Sequence, residues 1–323
     1  MSGAILVTGG AGFIGSNLVD ALLEDGETVV VLDDLNDYYS PADKRDNLSA
    51  AFENPNFHFV TGDIRDRAAV AAAFGRAPID RVVHLAARAG VQPSLSDPVL
   101  YADVNVTGTA MVLEACAAHQ VKQVVFGSSS SVYGDNAKIP FTEVDPVEHP
   151  LSPYAATKRA NELQCWTFHR ASGIPITCLR FFTAYGPRNR PDMAVYKFGR
   201  AIVEGRVIQL FGTDTRRDFT YVGDIVRGLR AALTHPNEYL VCNLGRGEPV
   251  RVDDVIEGLE AALDKKARVL RAPLPAGDMA ITWADGRLAR EKLGWAPTVD
   301  LTEGLGRFAS WLTDVSRSAK EAG

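Results

Sequence analysis

At 323 residues, with 46% hydrophobic and 23% charged side chains, the chain has the length and composition of a large globular unit or two fused ones rather than a disordered or fibrous protein. Its formal net charge of −6, from 34 basic and 40 acidic residues, argues against nucleic acid as the main partner, because a phosphate backbone requires a basic face. No apolar run approaches the ~20 residues of a membrane-spanning helix, so no membrane partner is expected.

The first predicted strand, Ala4–Thr8, begins so early that no signal peptide is expected before it. Cys116, Cys165, Cys178 and Cys242 form no C-x-x-C pair and read as reduced thiols of a cytoplasmic protein. No metal site is expected. Gly9-Gly10-Ala11-Gly12-Phe13-Ile14-Gly15 follows the strand directly. Its small residues allow a tight turn and bring backbone N–H groups to a pyrophosphate at a helix N-terminus, which makes Gly9, Gly12, Phe13, Ile14 and Gly15 candidates for a dinucleotide site. The helix opened here carries Ile14, Leu18 and Leu22 at spacing four and stops near Gly26.

Further strands are predicted at Thr28–Leu32, Phe57–Val60, Arg81–Leu85, Gln123–Phe126 and Ile176–Phe181. Helical patterns lie between them at about 66–75, 98–118 and 153–172. The strands are continuously apolar, as parallel strands covered on both faces are. Alternation of this kind predicts an α/β fold, a doubly wound, Rossmann-like parallel sheet with ligands along one edge. Asp33, at the end of the second strand, is placed to accept from both ribose hydroxyls and to repel a 2′-phosphate, favouring NAD over NADP. Asp63 and Ile64 after the third strand are candidates to meet the adenine. Leu85, Ala86 and Ala87 after the fourth are candidates to pass the phosphates and ribose.

After the fifth strand, Ser128-Ser129-Ser130-Ser131 makes a hydroxyl-dense surface fit to bond a sugar oxygen or carboxylate. In Ser152-Pro153-Tyr154-Ala155-Ala156-Thr157-Lys158, Ser152 suits a helix cap and Pro153 a first helical position. Spacing four puts the Tyr154 phenol and the Lys158 ammonium on one helix face. A cation about 4 Å from the phenol contributes up to roughly 4 kcal/mol at an effective dielectric of 20, enough to make phenolate accessible near neutral pH.

Beyond residue 180 Arg, Pro and Gly become frequent, and short elements follow, ending in the amphipathic stretch Leu301–Leu312. This predicts a smaller mixed domain. Residues 1–180, with about 222–245 returning to them, form the predicted cofactor domain; 181–221 and 246–323 form the substrate domain.

The chain resembles the extended short-chain dehydrogenase/reductase family over nearly its whole length, and within it the UDP-glucuronate 4-epimerases. The telling stretches are Leu35–Tyr39, Val132–Phe141, Arg180–Pro187 with Arg190–Met193, and Arg217–Tyr221. The resemblance implies inversion at C4 of a UDP-sugar through a 4-keto intermediate with tightly bound NAD, in a homodimer packed through helices near 100–118 and 155–172. It makes Tyr154, Lys158 and Ser129 catalytic. It puts Ser130, Ser131 and Thr183 near a C6 carboxylate, Arg190, Arg217 and Asp278 at the nucleotide, and Asn105 behind the catalytic helix. Decarboxylases and 4,6-dehydratases of the family resemble the chain too, but carry Glu at Ser131. One departure stands out: Gln92 replaces an arginine usual in glucuronate epimerases, with Arg88 nearby as a possible substitute. UDP-glucose or UDP-N-acetylglucosamine therefore stay open as substrates, the more so because Thr282 stands where some galactose epimerases place a bulky tyrosine. A cofactor-bound protein without chemistry remains as a reading of another class, against which both Tyr154 and Lys158 speak.

Overall fold

The computed structural model describes residues 3–273 and 279–321. Seven parallel strands form the central sheet: β1 (Ala4–Thr8), β2 (Val29–Asp33), β3 (Phe57–Thr61), β4 (Ile79–His84), β5 (Gln123–Ser129), β6 (Ile176–Phe181) and, much later in the chain, β10 (Tyr239–Leu244). Their order is β3-β2-β1-β4-β5-β6-β10. The chain winds outward in both directions from β1 and β4, so the crevice for a ligand opens between the loops that leave these two strands. The five strands predicted after the first each match an observed one within two or three residues at either end.

Alternation along each strand divides the apolar side chains between two layers. Ile5, Val7, Val29 and Val31 pack into one with Leu18, Leu22, Ile225 and Leu229. Ala4, Leu6, Val30 and Leu32 pack into the other with Val70, Leu113 and Cys165. Both faces being covered is why these strands read as unbroken apolar runs.

Local signals place the helices. The Pro153–Ser172 helix has Pro153 in its first turn, is capped by Ser152 Oγ, which accepts from Ala155 N at 3.2 Å, and ends at Gly173 in the left-handed conformation. The stretch predicted as one helix over 98–118 is three pieces: Pro98–Ala102, a π-helical turn Asp103–Thr107, and Gly108–Ala118. The wider turn carries the fully buried Asn105, whose amide holds the backbone of Arg88 from both sides (Arg88 N to Oδ1 2.8 Å, Nδ2 to Arg88 O 3.0 Å).

Beyond β6 come two small sheets. β7 (Thr183–Tyr185) and β9 (Arg216–Tyr221) pair parallel, with β11 (Pro249–Arg251) antiparallel to β9. β8 (Val207–Phe211) pairs parallel with β12 (Arg268–Ala272). A long helix, Leu301–Glu321, closes the chain over the stretch read as amphipathic.

Candidate active site

A cavity of about 410 Å³ opens at the C-terminal ends of the strands. On one wall Gly9, Gly12, Phe13, Ile14 and Gly15 form the turn from β1 into the helix Phe13–Glu24. Gly9 has φ +71°, and a Cβ on Gly15 would press into Gly10 Cα at 2.8 Å, so the turn closes only with glycine here. The helix N-cap is Gly12, which offers no side-chain acceptor, leaving the first-turn N–H groups to a ligand. Asp33 lies at the far side of the turn. Its carboxylate is oriented by Ala11 N (3.0 Å) and Leu35 N (2.9 Å), and burial, outweighing these two bonds and the Lys44 charge, raises it above the ordinary carboxylate range.

Asp63, Ile64, Leu85, Ala86, Ala87 and Arg88 line the cavity as well. Burial acts to raise Asp63, but its hydrogen bonds from Arg65, the shortest 2.6 Å, outweigh that and hold it below the usual range. The lining residues not singled out as site residues from the sequence include Tyr38, Tyr39 and Lys44. Lys44 Nζ donates to Asn36 O at 2.6 Å and lies 4.7 Å over the Tyr39 ring. The Tyr39 hydroxyl is buried without a hydrogen-bond partner in the protein, an orphaned group on the cavity wall beside Asp33. The only sequence signal for them is an aromatic pair just past the β2 carboxylates.

Tyr154, Lys158, Ser129, Ser130, Ser131, Thr183 and Arg190 meet on the opposite wall. Ser129 lies beside the Tyr154 phenol, and its Oγ lies 2.9 Å from Ser131 Oγ. Burial raises the phenol's pKa, while Ser129 and the Arg190 charge act to lower it. Lys158 Nζ donates to Gly127 O at 2.7 Å and lies 4.9 Å over the Phe126 ring. A buried ammonium needs an acceptor, and the carbonyl at the strand end supplies it. Burial pushes Lys158 down to about 8, with Cys165, Glu162 and Cys178 acting the other way.

Arg190 makes a two-pronged pair with Asp192 (both contacts 2.9 Å) and lies 5.7 Å over the Tyr38 ring, with Arg88 at 5.8 Å from the same ring. Arg217 sits on β9 and is not among the lining residues; it donates to Arg216 O at 2.9 Å and Ala280 O at 3.1 Å. Asp278 lies outside the described residues. Gln92 is exposed and does not line the cavity; Thr282 is buried, accepting from Asp218 N at 3.2 Å.

A strand, a glycine turn, a carboxylate after the second strand and a Tyr-x-x-x-Lys helix thus converge on one cavity. The model of the NAD dependent epimerase/dehydratase family matches residues 5–245. This chain belongs to that family. Among its epimerase/dehydratase relatives, the UDP-glucuronate 4-epimerase of Thermodesulfobacterium geofontis is 42% identical over 96% of both chains. The crystal structure of UDP-glucuronic acid 4-epimerase from Bacillus cereus, in complex with UDP-glucuronic acid and NAD, superposes with a TM-score of 0.90 at 36% identity, covering 97% of this chain and 99% of that one. UDP-glucose 4-epimerase of Thermotoga maritima, solved with UDP-glucose, superposes at 0.89 with 33% identity over 97% and 99%. Within this epimerase/dehydratase fold, the glycine cradle, the oriented Asp33 and the unpaired Tyr39 hydroxyl fit a dinucleotide: small residues where a pyrophosphate approaches, an acceptor for ribose hydroxyls and a spare donor between them.

Proposed function

We propose that the protein interconverts UDP-glucuronate and UDP-galacturonate by inversion at C4. One observation carries the reading: the Tyr154 phenol, with Ser129 beside it, lines the same cavity as the glycine turn and Asp33 of the dinucleotide wall. Gly9, Gly12, Phe13, Ile14, Gly15, Asp33, Asp63, Ile64, Leu85, Ala86 and Ala87 hold NAD in this reading, with Tyr154 and Lys158 at its reactive end. Bound there, NAD supplies a reversible hydride acceptor. Tyr154 takes the O4 proton, directly or through Ser129, and returns it after the sugar has turned about its link to the diphosphate. Lys158 keeps a positive charge on the helix that carries the phenol.

A 4-keto uronic acid is a β-keto acid and loses CO₂ when the C5–carboxyl bond stands perpendicular to the carbonyl plane. Ser129, Ser130, Ser131 and Thr183 offer hydroxyl donors with which to hold the carboxylate out of that alignment. No acid is present among these four, which favours epimerisation over decarboxylation or dehydration. Arg190 is our candidate for the diphosphate, its fork now held by Asp192. Arg217 and Asp278 belong, in this reading, to the nucleotide end, on a substrate-binding part made of residues 181–221 and 246–323.

The exposed position of Gln92 lessens its weight against glucuronate, and Arg88, which does line the cavity, is a cation within the site. UDP-glucose or UDP-N-acetylglucosamine is the second reading, favoured by that missing arginine.

No helix among the described residues is long and apolar enough to cross a membrane. We place the enzyme in the cytoplasm, as a homodimer. Leu163 and Trp166, exposed one turn apart on the Pro153–Ser172 helix, and Val99 beside it support that interface.

The test is incubation of purified protein with each of the three sugar nucleotides, following C4 inversion by NMR. Galacturonate formation is expected; turnover of neutral sugars alone would eliminate the uronate, and CO₂ with a pentose product would make the protein a decarboxylase. Tyr154→Phe is expected to abolish turnover and leave NAD bound, and near-normal activity in that variant would remove Tyr154 as the base.

A further inference from the structure

The Pro153–Ser172 helix turns a third ionisable side chain toward the sheet. Glu162, one turn beyond Lys158 and two beyond Tyr154, shares their helix face and is wholly buried. Its Oε1 accepts from Ser128 Oγ at 2.7 Å and Arg180 Nε at 2.8 Å. Its Oε2 accepts from an Arg180 terminal nitrogen at 2.8 Å and from Arg159 at 3.2 Å. Its main-chain carbonyl accepts from the Tyr239 hydroxyl at 3.0 Å. Arg180, equally buried, lies 4.8 Å over the Tyr133 ring, and the Tyr133 hydroxyl donates to Asn243 Oδ1 at 2.6 Å.

The arrangement sets three consecutive residues of the β5 end against three successive turns of the helix. Gly127 is tied to Lys158 and Ser128 to Glu162, and Ser129 lies beside Tyr154. Replacing a buried ion pair with well-packed apolar groups is often neutral or stabilising, so stability alone is a weak reason for four charge-assisted bonds here. Register between the phenol and its serine partner is a better one, because small misplacements at a reacting centre cost far more in rate than in stability.

We propose that Glu162 is a positioning residue of the epimerase reaction: through Ser128 and Arg180 it locks the helix of Tyr154 and Lys158 in register with the β5 end, and it sets a buried carboxylate one turn from the Lys158 ammonium. The inference rests on the function proposed above. The ionisable groups facing Lys158 are Cys165 and Glu162 on its own helix, Cys178 on β6 and His84 on β4. Burial pushes the Cys178 thiol well above its ordinary range and His84 down to about 3, so at neutral pH neither carries charge. Glu162 is the one carboxylate among the four, and it opposes the burial that brings the ammonium down to about 8.

The experiment is a lysine side-chain NMR titration of the protein as purified with its cofactor, paired with pH profiles of kcat and KM, for wild type, Glu162→Gln and Ser128→Ala. In Glu162→Gln the Lys158 midpoint is expected to fall from near 8 by about one pH unit or more. The alkaline limb of kcat is expected to move down with it while KM for the sugar nucleotide stays put. Ser128→Ala removes a fastening and no charge, and is expected to lower kcat about tenfold with the Lys158 midpoint unmoved. A folded Glu162→Gln protein with the wild-type midpoint and profile would overturn the proposal. Should that variant not fold, wild-type kcat in Ser128→Ala overturns it instead. A wild-type protein that inverts no UDP-sugar would sink the epimerase reading, and the Lys158 titration would then still decide whether Glu162 sets that charge.

Discussion

Ser129 lies beside the Tyr154 phenol with its Oγ 2.9 Å from Ser131 Oγ, and in the proposed reaction it is the uncharged group that passes a proton between the sugar oxygen and the phenol. Ser129→Ala is therefore expected to lower kcat about a hundredfold with little change in KM, read by steady-state kinetics; an unchanged kcat would mean direct transfer to Tyr154. The spacing of Tyr154 and Lys158 was legible from the sequence because helix periodicity is a local property. The direction of the ammonium was not. It depends on Gly127 O, thirty-one residues away, becoming the nearest acceptor once the helix docks on the strand end. Arg190 shows the same limit: its place in the cavity was expected, but its pairing with Asp192 and its stacking on Tyr38 arise only where distant segments meet. Arg217 was grouped with it by motif; it lies on β9 and is not among the residues that line the cavity.

At the scale of elements, the glycine turn was read well because each of its conformational demands excludes most other residues. Those demands are unequal. A Cβ on Gly12 would come 3.3 Å from Gly9 O, a contact a small adjustment relieves, whereas one on Gly15 presses on Gly9 and Gly10 backbone. Gly15→Ala is expected to cost about 1–3 kcal/mol of stability and to weaken NAD binding strongly, and Gly12→Ala to do less of both; denaturant melts and cofactor titration of the two variants check the ranking. The helix over 98–118 was misread as continuous, since a π turn leaves no mark on hydrophobic periodicity. The parallel pair β8 and β12 escaped notice too: fifty-six residues separate their ends, and β12 is exposed along almost its whole length, with no burial pattern to betray it.

For the molecule as a whole, the doubly wound sheet follows from composition and alternation, and the crevice from strand order. The buried polar joints between the layers do not. His84 sits at the heart of the sheet, Nδ1 2.6 Å from Thr8 Oγ1 and Nε2 3.0 Å from Thr109 Oγ1, and burial together with the Lys158 charge lowers its pKa from 6.5 to about 3. The unfolded chain takes up this proton from about pH 6.5 downward, while the folded chain refuses it until about 3. Stability is thus fully present above pH 6.5 and is lost as pH falls through that window, on the order of 5 kcal/mol in total. Denaturation at stepped pH is expected to show this slope in wild type and to lack it in His84→Gln; equal slopes would assign the acid sensitivity to other groups.

All four cysteines are free and buried, and the two sides of the sheet divide them unequally: Cys116, Cys165 and Cys178 belong to one layer and Cys242 to the other. The molecule so carries its own sulfur labels, silent toward an alkylating agent while closed. Which thiol is modified first under gentle denaturation reveals which layer peels away from the strands, with no engineered probe.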